Sequence, residues 1–179
     1  AHVLITLNIC DIVRFHTRAY PCGIYGATII DITGHIEQMA DPQKANDIWS
    51  VHHFGDALRQ HVFKGNFEFV DDSFWCDFTP FWDMPDHIQE KLAGSKLVFV
   101  KGDANYRRLL GERQWPLDTL AADVLSYWPV PVCALRTFKA EIGCGVSVEA
   151  QSRAERDDAN WKVSGKWGVV QVGGDISSI

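Results

Sequence analysis

Two short segments carry the side chains with the clearest chemical potential. The first is Lys101-Gly102-Asp103-Ala104-Asn105-Tyr106-Arg107, directly after the apolar run Leu97–Val100. The second is Arg136-Thr137-Phe138-Lys139, directly after Val132–Leu135. In the first, Gly102 permits a tight turn or a close backbone approach to a ligand. Asp103 stands where it can cap a following helix. Lys101 and that helix start together make a place for an anion. In the second, an arginine offers paired donors to a phosphate or carboxylate, and Lys139 adds a point charge. The plainer alternatives are a simple N-cap with a solvated lysine, and a surface pair bonding Glu141 or water.

The elements around these segments give them a common edge. Short apolar runs at Ile12–His16, Ile24–Thr28, Leu97–Val100, Val132–Thr137 and Trp167–Val172 read as strands. The Leu97–Val100 and Val132–Thr137 runs read as strands buried on both faces. Helical spacing marks Ile29–Ala40, ending at Asp41-Pro42, and then Asp47–Phe63, Pro85–Ala93, Asp103–Leu110, Leu117–Leu125 and Val146–Asp157. The alternation predicts one α/β domain over 1–179, a three-layer αβα (Rossmann-like) fold with a mostly parallel sheet. Ligands in such sheets sit outside the carboxyl ends of the strands, where both cationic segments fall.

Other residues invite weaker readings. Phe63–Trp82 holds eight aromatics, and Phe74, Trp75, Phe81 and Trp82 are expected to line an apolar pocket wall or to pack under a long loop. His52, His53, Asp56 and His61 are ligating types, but they lack a recognised metal-ligand spacing. The five cysteines include no C-x-x-C pair, which suggests reduced thiols and an intracellular, cytoplasmic setting. The start of the chain has no signal-peptide pattern, and no apolar run has membrane-spanning length. The 179 residues carry a net charge of −6. That disfavours nucleic-acid or membrane-surface partners and leaves a small molecule as the expected one. No P-loop, G-x-G-x-x-G, G-x-S-x-G or H-E-x-x-H motif is present.

The segment Lys101–Arg113 (KGDANYRRLLGER), with Trp115-Pro116, resembles the damage-control, metal-dependent phosphatases once grouped as domain of unknown function 89. Phe15–Pro21, Asp71–Trp75, Phe81–Pro85 and Trp161–Gln171 extend the likeness. Pro129-Val130-Pro131 followed by Arg136–Lys139 is similar to the R-T-x-K motif of the sugar-phosphate subfamily, also described as acidic-residue methyltransferase-like. The resemblance covers the C-terminal part of the family and not its N-terminal helical domain. It implies a phosphate-binding set of Lys101, Asp103, Asn105, Arg136 and Lys139, with Tyr25 beside the substrate. It also places a family metal ligand at Gly26, which has no donor atom, while two further ligands belong to the upstream part. Three expectations follow. The first is a metal-independent enzyme without cofactor, repurposed for cyclisation or isomerisation of an apolar biosynthetic metabolite. There Lys101, Asp103, Arg136 and Lys139 would be catalytic, and Asn105, Tyr25, Phe74, Trp75, Phe81 and Trp82 would bind substrate. The second is a sugar-phosphate phosphatase using Mn, Co or Ni. The third is a non-catalytic binding paralogue, for which a homodimer is the simplest cover of an exposed face.

Overall fold

A computed structural model describes residues 1–22, 26–45 and 48–175. The chain forms two compact units, Ala1–Asp77 and Phe78–Ile179. Both are α/β, and each contains a parallel strand pair, as the alternation predicts.

In the first unit, α1 (His2–Thr6) precedes β1 (Val13–Arg18). Helices α2 (Ile29–Ala40) and α3 (Trp49–Phe63) then lead to β2 (Phe67–Asp72). β1 and β2 pair in parallel from Val13↔Phe67 to Arg18↔Asp72. β2 falls within the aromatic stretch Phe63–Trp82, where the sequence marks no strand. Its inward Phe67 is buried and stands edge-on to Phe15, while Phe69 stacks on the same ring. The strand expected at Ile24–Thr28 lies partly outside the described residues, and Thr28 makes only an isolated bridge to Arg18.

The start of α2 is fixed by a capping box. The Thr28 hydroxyl accepts from the Asp31 amide, and the Asp31 carboxylate accepts from the Thr28 amide at 2.9 Å. Thr28→Ala should therefore destabilise the protein by about 1 kcal/mol in urea denaturation. The Thr28 backbone bond, then its hydroxyl bond, holds the Asp31 carboxyl below the ordinary aspartate range. A depressed carboxyl stabilises the fold above the unfolded aspartate pKa and loses that contribution as pH falls through the folded one. The gap between wild type and Thr28→Ala should therefore narrow in acid.

Gly55 of α3 is buried where α3 meets the end of α2. A Cβ there would overlap the main chain of Met39 and Ala40, so the close approach of α3 to α2 depends on glycine.

In the second unit, α4 (Asp86–Ala93) leads to β3 (Val98–Lys101) and α5 (Asp103–Leu109). A short α6 (Ala121–Val124), β4 (Val132–Thr137), α7 (Val148–Asp157) and β5 (Gly168–Gly173) follow. β3 and β4 are parallel, and β5 closes onto β4 antiparallel. β4 is buried along most of its length, as its apolar run predicts. β3 is not buried on both faces: Phe99 is half exposed, and it pairs with Cys133 beside the exposed Val172 of β5. The core side of the unit holds Tyr106, Leu109, Leu125, Trp128 and Val132, all essentially inaccessible. The helix expected over Leu117–Leu125 shrinks to four residues. Its front half instead bonds to a distant loop, with the Thr119 and Leu117 carbonyls accepting from the Gly145 and Val146 amides at 2.7 Å.

Candidate functional site

The site is built at the carboxyl ends of β3 and β4. Parallel pairing sets Lys101 opposite Leu135, and the Gly102 amide donates to the Leu135 carbonyl at 2.9 Å. Gly102 itself has φ +98°, a left-handed backbone that side chains other than hydrogen resist. This turn throws the chain from β3 directly into α5. Gly102 occupies the N-cap, so Asp103 is the first helical residue and not the cap that its position suggests.

The Asp103 carboxylate is instead held by Arg136. Arg136 Nε donates to Asp103 Oδ1 at 2.8 Å. The Arg136 side chain is fully buried, and that of Asp103 is 22% exposed. Arg136 Nη2 donates to the Ala140 carbonyl at 2.9 Å, and Nη1 donates to the Ile142 carbonyl. The guanidinium lies between the rings of Tyr106 and Phe138, 4.6 and 4.7 Å from their centroids. A cation enclosed this way is stabilised by ring quadrupoles and by its carboxylate partner together. The structure thus brings Asp103 and Arg136 together, with the arginine anchoring the loop 140–142 and aiming the carboxylate.

Behind the turn, Tyr106 ties α5 to β5. Its hydroxyl donates to Gln171 Oε1 at 2.7 Å, and Gln171 Nε2 donates to the Cys144 carbonyl at 2.5 Å. Burial pushes the Tyr106 hydroxyl far up, so it remains a neutral donor. Sequence reasoning missed Tyr106 and Gln171. Their signal is weak, because a polar residue inside a strand becomes informative only once its partner is known.

Lys101 and Lys139 are both exposed, and neither ammonium has a partner among the described residues. The Lys139 stem runs over Gly165, whose Cβ position lies 3.7 Å from its Cε. Asn105 turns inward on its own helix, Nδ2 donating to the Lys101 carbonyl at 3.1 Å. That bond steadies the end of β3 and leaves the amide oxygen available.

The aromatic candidates are divided between the units. Phe74 and Trp75 belong to the first unit, where Trp75 stands edge-on to His16. Phe81 and Trp82 belong to the second. Phe81 is buried against Trp128 and under the Arg108 guanidinium, which is 4.6 Å from its centroid. Trp82 packs on Tyr127 and Arg113. Tyr25 lies outside the described residues. The histidine group resolves into local pairs, His52 with Asp56 at 3.4 Å and His61 with His2 at 3.0 Å.

A divalent cation needs several oxygen donors converging on one point. Among the described residues no group of three or more His, Cys, Asp or Glu side chains converges in this way. Asp103 is a single carboxylate already engaged by a cation. Gly26 offers no donor, and at φ +86° its Cβ position lies 2.7 Å from Arg18 Nε. The described residues by themselves therefore do not fit a divalent ion.

Parallel strands, one of them feeding a glycine turn and a helix, with a fixed carboxylate at the strand ends, define an α/β protein. The chain belongs to the family described as the damage-control phosphatase ARMT1-like domain, whose model matches residues 1–154. It is 28% identical over 180 residues to the damage-control phosphatase ARMT1 of Bos taurus, covering 98% of this chain and 40% of that protein. It is 30% identical over 175 residues to the protein of the same name from Danio rerio, covering 96% of this chain and 38% of the relative. The Xenopus laevis protein matches at 28% over 176 residues, 96% of this chain and 39% of its own length. The chain thus spans about two fifths of the curated relatives it matches. These relatives all carry phosphatase names and lend no support to cyclisation, isomerisation or a biosynthetic role. Nor do they support loss of the family's metal site, since that expectation leaned on ligands upstream of the part of the relatives that this chain matches. No helix of the described residues is long and apolar enough to cross a membrane.

Proposed function

We propose that this chain carries the phosphate-ester recognition half of a damage-control phosphatase acting on small sugar phosphates. The observation that supports the reading is the Lys101-Gly102-Asp103 turn, with Asp103 fixed by Arg136 from the neighbouring strand and with Lys101 and Lys139 open. Each group has a distinct task. The Lys101 ammonium, beside the Gly102 turn and the start of α5, attracts a phosphoryl oxygen. Lys139, reaching from the end of β4, supplies a second charge. Arg136 is a positioning residue, because its buried donors are spent on Asp103 and on two carbonyls. Asp103 is a fixed acceptor for a donor on the substrate, such as a sugar hydroxyl. The resemblance to metal-dependent phosphatases implies a divalent ion, which would supply Lewis-acid polarisation of a phosphoryl group if bound. Among the described residues no group of three or more ligating side chains converges to hold such an ion.

Calorimetric titration with inorganic phosphate and with a hexose phosphate tests the recognition. Lys101→Met and Lys139→Met should each weaken binding by about tenfold, equivalent to ~1.4 kcal/mol. Equal affinity in both variants and wild type would refute the reading. Turnover of 4-nitrophenyl phosphate with added Mn, Co or Ni, sensitive to Lys101→Met, tests whether the recognition serves hydrolysis.

A further inference from the structure

The first unit assembles two thiols and a guanidinium at the ends of its parallel pair. Arg18 closes β1 and pairs in register with Asp72, which closes β2. Cys22 follows Arg18 by four residues and Cys76 follows Asp72 by four. The Cys22 thiol donates to the Cys76 carbonyl at 3.6 Å, and the Cys76 thiol donates to the Tyr20 carbonyl at 3.6 Å. Each sulfur therefore rests on the main chain of the other's segment. Arg18 Nη1 bonds the Cys22 carbonyl and lies 3.2 Å from Cys22 Sγ. Both cysteines are partly exposed, whereas Cys133 and Cys144 are buried.

We propose that Cys22 and Cys76 form a peroxide-sensitive dithiol that closes into an intramolecular disulfide across the ends of β1 and β2. Hydrogen peroxide is the oxidant. The Cys76 thiolate attacks one peroxide oxygen and the O–O bond breaks. The leaving hydroxide takes up the proton that Cys76 gave, which yields water and a Cys76 sulfenic acid. The Cys22 sulfur then attacks the Cys76 sulfur, the S–O bond breaks, and the departing hydroxide takes the Cys22 proton as a second water. Two thiols lose two electrons in all, and one hydrogen peroxide becomes two waters. The assignment of Cys76 as the attacking sulfur follows from its surroundings. Burial pushes the Cys76 thiol up, but contacts with the Tyr20 and Ala19 backbone, the Cys22 thiol and Arg18 outweigh it, and the net shift is downward. Cys22 is raised, by burial first and by the Cys76 thiol next. A guanidinium beside a thiol pair favours the thiolate that reacts.

The test uses the whole chain, reduced, then given stoichiometric hydrogen peroxide, blocked with N-ethylmaleimide and mapped by peptide mass spectrometry. The expected product is a linked 22–76 peptide pair, lighter by two hydrogens and released by dithiothreitol. Cys22→Ser should accumulate a sulfenic acid at Cys76 that dimedone traps, and Arg18→Met should slow the linkage several-fold. Circular dichroism checks that the variants are folded. The proposal is overturned if Cys22 and Cys76 are recovered separately alkylated while Cys10 has been oxidised. It is overturned equally if the dimedone adduct appears on Cys22 in Cys76→Ser and never on Cys76 in Cys22→Ser.

Discussion

Replacing Arg136 with methionine is expected to destabilise the protein by about 3–5 kcal/mol in urea denaturation. The side chain is fully buried, and it serves three acceptors at once: the Asp103 carboxylate and the carbonyls of Ala140 and Ile142. Methionine fills a similar volume but offers no donor, so the loss reports unpaired polar groups more than a cavity. Arg136→Lys keeps the charge, yet one ammonium cannot span acceptors arranged around a planar fork. It should recover less than half of the lost stability. Lys101→Met, at an exposed position outside any ion pair among the described residues, should stay within about 0.5 kcal/mol of wild type. If Arg136→Met also falls in that range, the buried pair contributes little and Asp103 is held by other means. Affinity for phosphate esters should fall along with stability in Arg136→Met, because the loop 140–142 and the carboxylate lose a common anchor.

Gly55→Ala is expected to cost about 2–3 kcal/mol. Alanine is the better helix former by about 1 kcal/mol, so intrinsic propensity alone predicts the opposite sign. Packing wins because the added methyl meets the backbone of Met39 and Ala40, which cannot rotate away as a side chain can. The two helices would have to separate, and dispersion along the whole contact would weaken. Gly34→Ala on α2 supplies the contrast. Nothing lies within 4 Å of its Cβ position, so it should raise stability by roughly 0.5–1 kcal/mol. Equal effects of the same sign at the two glycines would show that the helix crossing is looser than described.

Much of this architecture is legible in the residues themselves. α2 spans Ile29–Ala40 as its spacing predicts, because Thr28 and Asp31 mark its start and Pro42 prevents its extension. β4 spans Val132–Thr137 as read, since an apolar run bounded by Pro131 has few alternatives. The meeting of Lys101, Asp103 and Arg136 at one edge follows from parallel strands alone. Other features were hidden for physical reasons. The dense aromatics after Phe63 mask β2, whose burial does not alternate along Phe67–Asp72. The helix expected from Leu117 fails because its carbonyls serve the distant Gly145–Val146 loop. The conversion of Arg136 from an open clamp into a buried anchor depends on main-chain carbonyls at 140 and 142, and side-chain patterns carry no record of those.

The parallel pairing of the first unit has a consequence for synthesis on the ribosome. Val13–Arg18 emerges before its partner Phe67–Asp72, which is translated only after both intervening helices. Local hydrogen bonds let those helices form as they appear, while β1 waits with its ladder groups bare. A pause in elongation between Arg18 and Phe67 would prolong that interval, and chaperones that shield nascent edges would act on this stretch.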